Sequence, residues 1–113
     1  MLLLASLLSF GWPAPKVETV HALAPHPGLT LVRLNKCCGS MRPLIQGGEL
    51  AYVETYKDQE LEPGMVVAAN GKLHMIVSMI GERIYTAGIN NTRTDWRGRK
   101  KDVQFILRIL VKP

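Results

Sequence analysis

A mostly-β domain is what this chain predicts, on three observations. Aromatic residues are few, at 6%, whereas Gly (10) and Pro (7) are frequent. Val, Ile, Leu and Thr recur in short runs bounded by turn residues, the pattern of a turn-rich sheet rather than a helical bundle. The 113 residues give room for one domain, and a hydrophobic fraction of 47% supplies a modest core.

The elements follow in order along the chain. Residues 1–12, MLLLASLLSFGW, are apolar and uncharged beyond the amino terminus. As a helix they would cover about 18 Å, short of a hydrocarbon core of about 30 Å. Three readings stand side by side: an export signal lacking the usual basic flank, an interfacial anchor, or a helix packed on the domain or a partner. Localisation accordingly reads as membrane-associated or exported, with the cytoplasm still open. Residues 13–28 carry four prolines and read as a linker or extended arm.

The folded domain is expected over residues 29–113. LTLVRLNK (29–36) and ELAYVETY (49–56) alternate well enough for two strands. KDQELEPG (57–64) reads as a polar connection with room for one helical turn. Strands follow at 65–70, 72–80 and 83–88, with Asn70-Gly71 as a hairpin turn and Gly81-Glu82 as the next. Residues 88–102 form a long polar loop, and VQFILRILV (103–111) closes the sheet. Its inner face should carry Val53, Val67, Ile76, Ile84, Phe105 and Leu107, or their immediate alternates.

Charge and cysteine content narrow the chemistry. Fourteen basic residues against nine acidic ones give +5, and Arg93, Arg97, Arg99, Lys100 and Lys101 supply much of it. Such a run is either a patch for nucleic acid or an anionic membrane, or a solvated loop. No helical reading head, zinc-finger spacing or aromatic RNA-binding motif accompanies it, so nucleic acid is not the expected partner. The adjacent Cys37 and Cys38 are poorly placed to bridge each other, and two thiols lack the four ligands of a structural zinc. No metal or cofactor is expected.

Between the first two strands lies CCGSMRPLIQGGE, residues 37–49, which puts Ser40 at a strand end where the chain turns. A hydroxyl there is a capping group or a nucleophile. His74 lies within an apolar strand and Asp95 in the long loop, so Ser, His and Asp occur in separate elements, as in an assembled triad.

GSMRPLIQGGE (39–49) resembles the nucleophile motif of the signal peptidase I family and its relatives, the self-cleaving SOS-response repressors. Gly39, Ser40, Met41 and Pro43 match, with Gly48 and Glu49 at the family's Gly-Asp place. LEPGMVVAAN (61–70) is similar to its Gly-Asp-Ile-Val-Val strand. LHMIVSMIGERIYTAGINN (73–91) is similar to the stretch from the base to the Asn-Asn turn. The resemblance spans about residues 29–110, and implies a small coiled β domain with serine peptidase activity on a peptide or protein substrate. It sets Ser40 as nucleophile and His74 as general base, as in the endoplasmic-reticulum type, with Asp95 as the acid beyond the turn. Gly39, Met41 and Pro43 would shape the substrate and oxyanion region. Cys38 takes the place of a hydroxyl donor, and Met65 and Ile89 stand where relatives carry acids.

The chemistry is coherent. A serine hydroxyl attacks once a base takes its proton. A histidine, ordinarily titrating near pH 6.5, can accept that proton at neutral pH. An acid on the far ring nitrogen fixes the tautomer and stabilises the charged ring. The Ser40 backbone N–H would meet the oxyanion. Lys72, two residues before His74 on the same strand face, is the reserve base. The alternative to an enzyme is a non-catalytic relative that binds peptide or membrane as a β domain.

Overall fold

The computed structural model describes residues 12–35, 41–90 and 93–113. Among these residues, eight strands form one sheet: β1 (Glu18–Val20), β2 (Thr30–Arg33), β3 (Leu50–Thr55), β4 (Val66–Ala69), β5 (Lys72–Ile80), β6 (Arg83–Ala87), β7 (Trp96–Arg99) and β8 (Val103–Val111). The spatial order is β2-β3-β8-β4-β5-β6-β7, with β1 set against β8. Every pairing is antiparallel except β1 with β8. The mostly-β expectation holds. Among the described residues no helix is long and apolar enough to cross a membrane. The apolar run expected at the amino terminus lies, up to residue 11, outside the described residues.

β8 organises the sheet. Its nine residues pair with β3 along Phe105–Val111 and with β4 along Val103–Leu107, while Ile109–Val111 take β1 on the side that β4 leaves free. A strand flanked on both edges and covered on both faces needs apolar side chains in both parities. VQFILRILV supplies them, and Ile106, Leu107 and Leu110 are fully buried.

Two cores result, where one inner face was expected. The register row Val53–Leu107–Val66–Met75 lies on one face, joined by Leu34, Met41, Ile45, Ala51 and Leu110. The neighbouring row Ile106–Val67 lies on the other, joined by Leu61, Met65, Ile76, Ile84 and Val103. Successive residues of a strand point to opposite faces, so the six expected core positions divide between them. Val53 and Leu107 belong to the first core; Val67, Ile76 and Ile84 belong to the second. Phe105 is half-buried against the first.

Turn chemistry accounts for the close connections. Asn70 (φ 53°) and Gly71 (φ 75°) both take the left-handed conformation that a tight hairpin requires, joining β4 to β5. Two expectations need correction. The connection at 57–64 holds no helix; it turns through Asp58 at φ 64° and Gly64 at φ 98°. Gly64 is also needed for space, since a Cβ there would stand 2.6 Å from the Ala14 carbonyl oxygen.

Residues 13–28, read as a linker or extended arm, are docked on the sheet. Lys16 N–H donates to the Gly64 carbonyl (2.8 Å), β1 pairs with β8, and the Tyr52 hydroxyl donates to the Ala24 carbonyl (2.8 Å). The second correction concerns the loop at 88–102, which contains a strand, β7, paired to β6 from Thr86↔Trp96 to Arg83↔Arg99. A single 3₁₀ turn, Lys100–Asp102, then leads into β8.

Candidate active site

His74 sits in β5 opposite Val67 of β4, so its ring lies on the face of the second core. It is buried, with 6% of its surface exposed. Its Nδ1 stands 3.1 Å from Asp95 Oδ1. With Nδ1–H donating to the carboxylate, the neutral ring presents Nε2 as a lone-pair acceptor. That Nε2 is fully buried and has no hydrogen-bond partner among the described residues. Leaving a buried polar atom unmade costs on the order of 1–3 kcal/mol, and an orphan of this kind asks for a functional explanation.

Asp95 is held from β6. Its backbone N–H donates to the Thr86 carbonyl (2.9 Å), and the Thr86 hydroxyl donates to Oδ1 (3.0 Å). Thr86 is fully buried; the Trp96 carbonyl at 3.3 Å competes for the same hydroxyl proton. The carboxylate therefore approaches the imidazole from a fixed direction. Trp96 completes the setting, its indole stacked on the His74 ring at 5.8 Å between centroids and 21° between planes. Gly98 makes room for that indole, because a Cβ at 98 would lie 2.3 Å from its carbons.

Thr86 and Trp96 escape sequence reasoning. The strand parity of RIYTA places Thr86 beside Ile84's buried face, which is a weak signal. Trp96 follows Asp95 directly and would have been noticed had β7 been expected.

Of the expected site residues, His74 and Asp95 are brought together. Cys38, Gly39 and Ser40 lie outside the described residues, as do Cys37 and Asn91. Met41 is buried at 4% exposure in the first core beside Met75, so it serves as packing there. The Pro43 carbonyl accepts from Gln46 Nε2 at 3.0 Å, and Ile45 N–H donates to the Met41 carbonyl at 3.0 Å, tightening this turn. Lys72 opens β5 exposed to solvent, whereas a lysine base requires a desolvated amine.

The two positions where relatives carry acids, Met65 and Ile89, pack against the second and first cores respectively.

The segment that follows the nucleophile motif is anchored at its far end. Glu49 accepts from the backbone N–H groups of Gln46 (2.8 Å) and Gly47 (2.6 Å) and from Lys112 Nζ (3.0 Å). Burial pushes its carboxyl up, but the Gln46 N–H, the Lys112 ammonium and the Gly47 N–H together hold it below the usual carboxylate range. Leu34 brackets the same segment, its N–H donating to the Glu49 carbonyl (2.8 Å) and its carbonyl accepting from Gly48 (2.9 Å).

The chain matches no family model, no curated protein and no solved structure.

Proposed function

We propose that the protein is a serine endopeptidase of signal-peptidase type, cleaving a peptide bond after a small residue in an extended segment. The observation that carries this is the buried His74 ring, held at Nδ1 by Asp95 while Nε2 has no partner among the described residues. In this reading Nε2 takes the proton of Ser40 as Oγ attacks the scissile carbonyl, then delivers it to the leaving amine. Asp95 stabilises the imidazolium that forms between those events, and Thr86 keeps the carboxylate aimed.

The substrate would lie extended, with backbone hydrogen bonds giving affinity and shallow pockets selecting small side chains. No metal or cofactor enters the scheme. Hydrolysis of a peptide bearing Ala before the cut, followed by mass spectrometry, tests it. Cleavage by the wild type that disappears in both Ser40→Ala and His74→Ala supports the assignment. Undiminished cleavage in His74→Ala ends it, and absence of cleavage by the folded wild type favours the non-catalytic peptide-binding reading.

A further inference from the structure

Part of the basic run noted in the sequence lies in a strand rather than in a solvated loop. Arg97 and Arg99 belong to β7, and their parity places them on the sheet face opposite Trp96 and the second core. Two register rows cross that outer face. One runs Ile80–Arg83–Arg99, the other Ser78–Tyr85–Arg97. Arg83, Arg97, Arg99, Ser78 and Ile80 are exposed, and Tyr85 is half-buried. Lys100 and Lys101 follow directly, also beyond the core. None of the three arginines forms an ion pair among the described residues.

Charged side chains on an edge strand protect it from pairing with other chains, which explains Arg97 and Arg99. It does not explain Arg83, which lies one strand further in and directly across from Arg99. Like charges facing each other across a strand pair are destabilising. The same row ends in Ile80, 68% exposed and the most exposed large apolar side chain among the described residues.

We propose that this three-stranded face docks on an anionic phospholipid surface. Phosphate headgroups would relieve the Arg83–Arg99 repulsion, and Ile80 and Tyr85 would enter the interfacial layer between them. Charge alone would equally suit nucleic acid. However, single-stranded nucleic acid is held by exposed rings on which bases stack, and this face offers one half-buried tyrosine. Its prominent apolar group is aliphatic, suited to lipid.

Vesicle binding of the full chain tests the proposal without reference to catalysis. Affinity is measured for vesicles of phosphatidylcholine alone and mixed with phosphatidylglycerol, with a single-stranded DNA oligonucleotide alongside. Residues 1–11, being apolar, would attach to both vesicle types, so the ratio of affinities is the informative quantity. The wild type should prefer anionic vesicles, and added salt should erode the preference.

The triple variant Arg83→Gln, Arg97→Gln, Arg99→Gln should reduce that preference by on the order of a hundredfold, given about 1 kcal/mol per basic residue near such a surface. Ile80→Ser should weaken anionic-vesicle binding several-fold. Circular dichroism confirms that each variant retains its sheet. Equal wild-type affinity for the two vesicle types, or an undiminished preference in the triple variant, overturns the proposal. Oligonucleotide binding that depends on the arginines, with no vesicle preference, assigns the face to nucleic acid instead.

Discussion

Single side chains decide whether His74 can serve as a base. Its Nδ1 is fixed by Asp95, and Asp95 is fixed by Thr86, so a defect two residues removed should still reach the imidazole. Asp95→Asn leaves a similar shape and an oxygen that can accept, but its amide can also present N–H to the ring and set the wrong tautomer. Cleavage should fall by orders of magnitude while the melting temperature stays close to wild type. Thr86→Val keeps the branched shape and deletes the hydroxyl. The expected cost is about 1 kcal/mol of stability by denaturant titration, with a drop in kcat larger than the change in KM.

Glu49 gives a separate prediction about pH. Its folded carboxyl lies below the usual range, so in that interval the unfolded chain binds the additional proton. The stabilisation is therefore fully present above the ordinary carboxylate range and is lost as pH falls through the lowered value. Glu49→Gln should remove that acid-side slope and cost about 1–2 kcal/mol near neutral pH, read from urea melts across pH.

At the level of elements, much of the architecture is legible in the sequence because local signals and tertiary packing agree. Residues 72–80 and 103–111 are largely apolar runs, and the Asn-Gly turn between β4 and β5 requires the conformation that these two residues tolerate. β1 and β7 are not legible, for different reasons. β1 lies among prolines and gains its partner only when β8 is in place, so nothing local announces it. β7 reads Trp-Arg-Gly-Arg, with few β-forming residues and a glycine inside.

That glycine serves the indole lying over it. Gly98→Ala should displace Trp96 from His74 and destabilise the fold by about 1–3 kcal/mol, as overpacked sites do. A shift in tryptophan fluorescence, compared in a Trp12→Phe background, would report the displacement. Half of the candidate site was readable as well. His74 and Asp95 stood out as titratable groups in an apolar strand and a polar loop. Thr86, whose role depends on the register of β6 against β7, did not.

The described residues are arranged around β8, the one strand among them that pairs with three others, and it contributes to both cores. Leu107 illustrates this, lying between Val53 and Val66 in the first core's central row with no surface exposed. Leu107→Ala should cost about 2–5 kcal/mol and broaden amide exchange protection losses across β3, β4 and β8 together. An exposed substitution such as Ile80→Ser should leave stability nearly unchanged. Both proposed surfaces occupy the β5–β6–β7 end: His74, Thr86, Asp95 and Trp96 face inward, while Arg83, Arg97 and Arg99 face outward. Catalysis and surface docking should consequently be separable by mutation.

The central claim is that Ser40 is a nucleophile activated by His74, and acylation tests it most directly. The full chain is treated with an activated ester of an N-acylated alanine, quenched in acid and mapped by tandem mass spectrometry. An acyl group on Ser40 in the wild type, lost in His74→Ala and in Ser40→Ala, is the predicted result. Acylation at Ser40 that is unchanged in His74→Ala, or a folded wild type that never acylates there, would contradict it.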